Sequence, residues 1–251
     1  MKILITVDTF HPDINGVSLT YQHTYQALKT LGHDVTLLTP SSFKRTYRAS
    51  SKDCTFAFPR RNEIDLSTYN NHKIIIATPE GPIGRYVRKN APAHYITCYH
   101  TEWPLYLKKW YRLPLWITHK YIRSIHQRSQ CILTPSKSCA KALKKIIGQN
   151  NVHVWGNGND SSLFFPQSTS KKNDEKILLY VGRVSDEKNI TAFLDLNLKF
   201  PHQKKVVGTG KDLAHYQRRY PDVVFEGKIP HEQLGAFYHQ ADVLVFPSKT
   251  D

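Results

Sequence analysis

Two basic residues stand in a turn between an apolar run and a helical pattern. Arg183 and Lys188 lie in the segment YVGRVSDEKNI at 180–190. Arginine binds a diphosphate through a planar fork of donors, and lysine binds it as a point charge, so this pair could hold the phosphates of a nucleotide. The alternative is a solvated surface loop in which Asp186 and Glu187 pair with the two cations. The residues alone leave both interpretations open.

A glycine-containing loop, FHPDINGV at 10–17, follows the first apolar run and leads into a helical pattern. Gly16 would let a phosphate approach the backbone at the start of that helix. Asp13 and Asn15 are candidates for contacting an acceptor molecule or for building the turn. The loop is not the G-x-G-x-x-G sequence of nicotinamide-binding sites, and an ordinary glycine turn remains the alternative.

A histidine and two further polar residues follow other apolar runs. His100, in CYHTEWP at 98–104, ends a predicted strand, where it could donate a hydrogen bond or act as a base. A structural histidine that caps a loop is the alternative. Thr101 and Glu80 are also acceptor or turn candidates. For Glu80, in TPEGPIG at 78–84, a tight turn with a helix cap is the favoured interpretation.

The net charge of +15 is concentrated in residues 85–145, which contain 13 Lys/Arg and one acid, Glu102. Aromatic residues beside a polybasic surface are typical of peripheral membrane proteins, and each base contributes roughly 1 kcal/mol at an anionic leaflet. The candidates for membrane contact are Trp103, Lys108, Lys109, Trp110 and Arg112. A core helix with a solvated basic face and a nucleic-acid surface are the alternatives, although no nucleic-acid module is present.

Short apolar runs alternate with helical patterns along the chain, which predicts an α/β fold of two doubly wound, Rossmann-like domains. We predict an N-terminal domain at 1–165, a polar linker at 166–175 and a partial second domain at 176–251. The second domain is expected to include a helix over 189–200 and a strand over 242–248. A strand at 93–100 is expected to end at His100.

Composition excludes several classes of protein. No apolar run approaches the roughly 20 residues of a membrane span, and the apolar run after Met1 is too short for a secretion signal, so we expect a cytoplasmic protein. The four cysteines form no C-x-x-C pair and are expected to be reduced. The 13 histidines show no metal-ligand spacing, so no metal or other cofactor is expected.

Four stretches together resemble glycosyltransferase family 4, whose members have the GT-B fold and transfer a sugar from a nucleotide-sugar donor with retention of anomeric configuration. They are FHPDINGVSLT, CYHTEWPLYL, WGNGNDSSLFFP and LLYVGRVSDEKNI. The later segment VVFEGKIPHEQLGAFYHQADVLVFPS follows the course of the family's second domain. The basic aromatic region is similar to that of lipid-glycosylating members such as phosphatidylinositol mannosyltransferases and diacylglycerol glycosyltransferases.

This resemblance implies a role for each matching residue. Arg183 and Lys188 match the donor-diphosphate residues, and the Gly16 backbone would reach the same phosphates. His100 matches the family's histidine beside the donor sugar. No metal is required in this scheme. The N-terminal domain would bind the acceptor, expected to be a membrane lipid at the inner face of the cell membrane and not a nucleic acid. The oligomeric state is not predicted.

Further features of the family complete the prediction. Gly227 and Ile229, in the GKIP turn, match the position where the family seats the nucleotide base. Asn159 stands where the hinge motif G-x-G-V-D-x-x-x-F-x-P has valine. The E-x7-E motif, whose acids contact the donor sugar and ribose, is expected after VFPSKTD, where the sequence ends at Asp251. The alternative function is therefore a non-catalytic descendant that binds a membrane or a partner through its N-terminal domain.

Overall fold

The structure, a computed structural model, divides into two compact units at residues 1–158 and 159–251. It describes residues 1–13, 15–48, 55–91, 94–102, 104, 107–108, 112–148, 150–166 and 175–248. Each unit contains one parallel sheet with helices packed on it, so the predicted α/β class is confirmed. Nearly all of the predicted linker lies outside the described residues, and residues 159–166 group with the second unit.

Unit 1 is built on a six-stranded parallel sheet. Its strands are β1 (Lys2–Thr6), β2 (Asp34–Leu38), β5 (Lys73–Ile76), β6 (Tyr95–Cys98), β7 (Ser129–Thr134) and β8 (Val152–Val154), and a separate antiparallel hairpin joins β3 (Thr46–Arg48) to β4 (Thr55–Ala57). Its main helices are α1 (Gly16–Thr30), α2 (Pro82–Asn90), α3 (Leu115–His126) and α4 (Lys137–Ile147). The strand order is β2-β1-β5-β6-β7-β8.

This strand order places a topological switch point between β1 and β5, because the chain leaves β1 for β2 on one side and crosses to β5 on the other. Ligands of open α/β sheets bind at the carboxyl ends of the strands at such a point. The sheet is apolar on both faces. Ile3 and Ile5 pack with Tyr21 of α1, whereas Leu4 packs on the opposite face with Ile83 of α2. This alternation fixes which helix covers each face.

Unit 2 contains a four-stranded parallel sheet of order β11-β10-β9-β12. The strands are β9 (Lys176–Val181), β10 (His202–Val207), β11 (Val224–Gly227) and β12 (Val243–Leu244), and the helices are α5 (Ile190–Leu194), α6 (Leu213–Arg219) and α7 (Leu234–Gln240). The chain passes from β9 to β10 and β11 on one side and returns to β12 on the other. The switch point of this sheet therefore lies between β9 and β12.

Three predicted elements end earlier than expected. The helix predicted over 189–200 ends at Leu194, where the Lys204 ammonium donates to the free Leu194 carbonyl, and the following Leu196 and Leu198 pack on the core. The strand predicted over 242–248 is reduced to Val243–Leu244, with the flanking amides of Asp242 and Val245 also donating to carbonyls of β9. The strand predicted to end at His100 ends at Cys98, which places the histidine in the following loop.

A buried histidine should make unit 1 sensitive to acid. His126 is 1% exposed, and its Nδ1 lies 2.8 Å from Thr97 Oγ1, which in turn lies 2.7 Å from Ser129 Oγ. Burial, with repulsion from Arg88, lowers the pKa of His126 to about 3. The unfolded chain binds this proton below pH ~6.5, so the stabilisation is complete above that pH and is lost as the pH falls towards 3.

We expect the free energy of unfolding to fall by about 1.4 kcal/mol per pH unit over this window from His126 alone. His126→Asn keeps a polar group near Thr97 and removes the titrating ring. Urea unfolding at a series of pH values should therefore give a shallower profile for the variant, which starts from a lower stability at pH 7. Parallel profiles for the two proteins would show that His126 does not cause the acid sensitivity.

Candidate functional site

An acidic residue at the end of β1 organises the switch point of unit 1. Asp8 is 4% exposed, and its Oδ1 accepts a hydrogen bond of 2.8 Å from the Ile83 amide. Its Oδ2 accepts from Thr78 Oγ1 at 2.7 Å and from the Gly84 amide at 3.3 Å. Asp8 thus caps α2 in place of Gly81, the N-cap residue, which has no side chain. Burial raises the pKa of Asp8 despite these hydrogen bonds.

Two glycines at helix starts should respond differently to substitution. A Cβ at Gly81 would overlap the Asp8 carboxylate, whereas a Cβ at Gly16 would have no described heavy atom within 4 Å. We expect Gly81→Ala to lower the free energy of unfolding by about 1–3 kcal/mol through overpacking. Gly16→Ala should change it by less than about 0.5 kcal/mol. Denaturant unfolding of both variants measures this difference, and equal effects would contradict the described packing.

The loop before α1 is held by internal hydrogen bonds. The Asn15 side chain accepts from the Ser18 amide at 3.0 Å, while Ser18 Oγ accepts from the Asn15 amide at 2.9 Å. Asn15 also donates to Thr9 Oγ1 at 2.6 Å. Asp13 is buried, and its Oδ2 accepts from the Thr55 amide at 2.6 Å. These contacts show that Asp13 and Asn15 help to build the turn. Gly16 remains at the open start of the helix.

His100 lies next to this loop through a contact with α1. Its Nε2 is 2.9 Å from the hydroxyl of Tyr21, and the two rings meet edge to face at 5.5 Å. Tyr21 is fully buried and also contacts the ring of Trp155 at 6.0 Å. Burial lowers the pKa of His100 to about 4, so the imidazole is neutral at pH 7. When the tyrosine hydroxyl donates to Nε2, the imidazole proton lies on Nδ1 and can be donated elsewhere.

Glu80 and Thr101 lie on the loops that follow β5 and β6, and both side chains are half-buried. After burial and Cys98, the charge of Glu80 is a further cause of the raised pKa of Tyr21. The Glu80 carboxylate therefore acts electrostatically on the partner of His100. Unit 1 thus brings the sequence candidates Gly16, Glu80 and His100 to one edge of the sheet.

The two cations of unit 2 lie on the loop after β9. Arg183 Nη2 is 2.6 Å from Glu187 Oε1, and the arginine side chain is 64% exposed. The other acid, Asp186, accepts a hydrogen bond of 2.6 Å from the hydroxyl of Tyr216 on α6. The local ion pair of the surface-loop interpretation therefore forms for Arg183, while the exposed guanidinium still presents donors to solvent, so diphosphate binding stays a prediction. Asp186 fixes the loop to the unit.

The loops after β9 and β12 meet at the switch point of unit 2. Lys188 Nζ lies 5.7 Å from the ring centroid of Phe246. The next residue, Asn189, has a φ of 53° and donates to the Pro247 carbonyl at 3.1 Å. These contacts place Lys188, on the same short loop as Arg183, at the position where doubly wound sheets bind ligands.

Glycines allow the loops at this edge to approach each other closely. Gly208 has a φ of 136°, and a Cβ there would overlap the Gly182 carbonyl oxygen. The Gly208 amide donates to the Gly227 carbonyl at 2.7 Å, and Gly227 has a φ of 74°. Ile229, two residues further along, is half-buried. A Cβ at Gly227 would meet no described heavy atom within 4 Å, so a ligand can approach the backbone closely at that turn.

The remaining predictions concern membrane contact, metal binding and the cysteines. Lys108 and Arg112 are exposed, whereas Trp103, Lys109 and Trp110 lie outside the described residues. No described helix is long and apolar enough to cross a membrane. Within the described part of the chain, no three His, Cys, Asp or Glu side chains form a group suited to a metal ion. Cys98, Cys131 and Cys139 are free thiols, and Cys54 is outside the described residues.

Sequence reasoning missed Asp8 and Tyr21. The available signal for Asp8 was an acid directly after a buried strand, at the edge where ligands bind. Tyr21 has the spacing of a core residue in the helical pattern after Gly16, so the sequence alone indicates only a place on the apolar face of that helix. Its contact with His100 joins residues 79 positions apart in the sequence.

Comparisons with known proteins identify relatives of both units. The family described as Glycosyltransferase Family 4 matches residues 14–163, and the one described as Glycosyl transferases group 1 matches residues 161–251. A GDP-mannose-dependent alpha-mannosyltransferase of Corynebacterium glutamicum is 24% identical over 99% of this chain and 67% of that protein. A protein of the same name from Mycobacterium tuberculosis is 22% identical over 98% of this chain and 72% of that protein.

Solved structures share the fold. Anabaena HepE in complex with UDP and glucose matches 97% of this chain and 73% of its own, with a TM-score of 0.61 and 14% identity. An alpha-glucosyltransferase in complex with UDP and a 13-mer DNA matches 96% of this chain and 71% of its own, with a TM-score of 0.59 and 17% identity. The predicted GT-B-like class is confirmed.

Proposed function

Since this chain belongs to glycosyltransferase family 4, we propose that it is a mannosyltransferase that uses GDP-mannose as its donor. The protein is a glycosyltransferase that takes its sugar from a nucleotide-sugar. The choice of GDP-mannose is supported by relatives named for that donor, which align with nearly the whole chain. The neighbours solved with UDP are less similar in sequence and support the fold alone.

One observation carries the assignment of a diphosphate-bearing donor: Arg183 and Lys188 lie on the loop after β9, at the switch point of unit 2. In the proposed reaction, an acceptor hydroxyl oxygen bonds to C1 of mannose as the bond from C1 to the diphosphate oxygen breaks. The acceptor proton passes to the departing phosphate. Arg183 and Lys188 stabilise the negative charge that develops on GDP, which is usually the largest contribution to catalysis of this kind.

His100 has a different role in this scheme. We assign it to the donor sugar, as the family resemblance implies. Because the pKa of His100 is lowered to about 4, it acts as a neutral hydrogen-bond donor and adds no positive charge at pH 7. Tyr21 orients the ring. Since the relatives are named alpha-mannosyltransferases and GDP-mannose is an α-glycoside, the product should retain the α configuration.

The proposed acceptor is a membrane lipid, reached by a protein bound peripherally at the inner face of the membrane. The support is the +12 excess of charge in residues 85–145 and the exposed Lys108 and Arg112 in that segment. Adsorption to an anionic leaflet would bring the enzyme to a lipid hydroxyl. The non-catalytic alternative has no observation of its own in its favour.

The backbone at Gly16 gives a prediction specific to donor binding. A methyl group at this position would occupy the open space at the start of α1 without disturbing described neighbours. If the donor phosphates lie against this backbone, Gly16→Ala should weaken GDP-mannose binding about tenfold, the effect of losing roughly one hydrogen bond. Calorimetric titration measures this change. Unaltered affinity in the folded variant would remove Gly16 from the donor site.

Transfer to lipid can be tested directly with GDP-mannose labelled in the sugar. The acceptors are phosphatidylinositol and diacylglycerol in mixed micelles, and the readout is label extracted into organic solvent. The proposal expects label in a lipid product, with an α-anomeric proton signal by NMR. Release of free mannose only, or transfer only to DNA, would contradict the lipid acceptor.

A further inference from the structure

The outer face of α3 carries exposed aromatic and basic residues that the donor and sugar sites do not use. Thr118, Ile122, Ile125 and His126 form the buried side of the helix. On the other side Trp116 is 68% exposed and Tyr121 44% exposed. Leu115 and Ile117, beside Trp116, are also exposed, and a group of exposed apolar side chains marks an interaction site where a single one does not. The helix sequence LWITHKYIRSIH contains no acid.

Basic residues follow Trp116 along one stripe of α3. Trp116, Lys120, Arg123 and Gln127 recur at spacings of three and four, so their side chains share a face. Together with His119 and Ser124 they line a groove of about 550 Å³. The Arg123 guanidinium is fixed over the end of α4 by bonds of 2.9 and 3.2 Å to the Ile146 carbonyl. The stripe therefore combines an exposed indole with positive charge at set positions.

The neighbouring helix extends this positive surface. Lys141, Lys144 and Lys145 of α4 are exposed. The bonds from Arg123 to Ile146 show that α3 and α4 pack side by side. In residues 85–145 a single acid, Glu102, opposes 13 bases. An occupant of this surface must therefore be strongly anionic, and the indole of Trp116 favours one with an apolar layer below its charges.

The position of α3 in the sheet connects this surface with the transfer site. Strand β6 ends at the carboxyl edge, and α3 runs from that edge back to the start of β7. Trp116, in the first turn of α3, therefore lies at the same edge as His100. Arg123 lies about 10 Å further along the helix. A membrane resting along this stripe would present its lipid headgroups at the edge that holds the sequence candidates of unit 1.

We propose that the Trp116–Lys120–Arg123 face of α3 is the docking surface for an anionic membrane, with phosphate headgroups in the groove and the indole at the acyl boundary. The inference deepens the lipid-acceptor function and rests on it, since a soluble acceptor gives no reason for membrane docking. A nucleic acid would also satisfy the charge, but the exposed Leu115 and Ile117 beside Trp116 suit the acyl boundary of a membrane and not a phosphate backbone.

Vesicle sedimentation tests this surface. The probes are vesicles of phosphatidylcholine with phosphatidylglycerol and vesicles of phosphatidylcholine alone. The test variant is Trp116→Ala with Lys120→Gln. The control variant is Phe200→Ala with Lys211→Gln in unit 2, which removes one exposed aromatic and one exposed base elsewhere. Arg123 is kept because it also holds α4. Melting curves establish that both variants remain folded.

The proposal expects the parent to bind anionic vesicles only, the test variant to bind at least about tenfold more weakly, and the control to bind as the parent does. Equal binding by all three, or no binding by the parent, would overturn it. Displacement of the parent from vesicles by a single-stranded oligonucleotide at lower concentration than by phosphatidylglycerol micelles would overturn it in favour of a nucleic-acid surface.

Lipid transfer measured in detergent separates this inference from the proposed function. If the test variant still mannosylates lipid in mixed micelles but no longer binds vesicles, the result supports both the α3 docking surface and the lipid acceptor. If it binds vesicles normally and transfers mannose normally, the α3 surface fails and the lipid acceptor survives. If docking depends on α3 but no lipid is ever mannosylated, the docking surface stands and the proposed acceptor fails.

Discussion

Arg183→Ala is expected to lower kcat/KM for GDP-mannose about 10- to 150-fold, the range given by one lost charge-assisted hydrogen bond of roughly 1.5–3 kcal/mol. The Arg183 side chain is exposed and forms an ion pair with Glu187 through one guanidinium nitrogen, so its removal should leave the fold intact. The loss should appear in both the donor dissociation constant and kcat, because the charge on the diphosphate increases as the sugar leaves.

Matched variants sharpen this prediction. Lys188→Ala should lower kcat/KM for GDP-mannose by a similar factor. Arg183→Lys should recover only part of it, because lysine keeps the charge and loses the planar fork. Arg218→Ala, which removes an exposed arginine from α6, is the control and should behave as the parent. Initial rates and titration with GDP-mannose give these values. Parent-like kinetics for Arg183→Ala, with a normal melting curve, would move the diphosphate site away from this loop.

His100→Ala is expected to lower kcat about 10²- to 10³-fold, the usual effect of removing one preorganised donor from a transfer site. The donor dissociation constant should change much less, since the imidazole is neutral and does not bind the diphosphate. Tyr21→Phe keeps the imidazole but removes the hydroxyl 2.9 Å from Nε2. The kcat of this variant should be about tenfold lower than that of the parent, which is roughly the contribution of one neutral hydrogen bond that orients the imidazole.

The pH dependence of kcat separates a neutral donor from a general base near neutrality. With a pKa of about 4, His100 keeps its protonation state between pH 6 and 8, so its contribution to kcat should be constant there and fall only near pH 4. Rates measured over this range check the assignment. A parent-like kcat for His100→Ala would contradict it, as would an inflection near pH 6.5 that disappears in this variant.

The sequence was sufficient to place residues that follow strands. Gly16, His100, Arg183 and Lys188 were singled out because each stands after an apolar run, and parallel strands bring their carboxyl ends to one edge. The doubly wound class followed from the alternation of elements. These inferences depend on local patterns and on a topological rule, both of which a single sequence displays.

Long-range contacts were beyond the reach of such patterns. Asp8 caps α2 from a strand 75 residues away, and no local signal pairs an aspartate with a distant amide. The carbonyl at the early end of α5 is satisfied by Lys204, which reaches back from β10 to Leu194. Tyr21 has the spacing of a core residue in a helix. Only the short distance from its hydroxyl to His100 Nε2 reveals that it also contacts this histidine.

We propose that this chain binds GDP-mannose through the loop after β9. Calorimetric titration with GDP-mannose, UDP-glucose and ADP-glucose tests it most directly, with the Arg183→Ala variant as the matched control. We predict saturable heat with GDP-mannose, little or none with the other two donors, and a clearly larger dissociation constant for GDP-mannose in the variant. Binding of UDP-glucose in preference to GDP-mannose, or equal binding by the variant, would contradict this donor site.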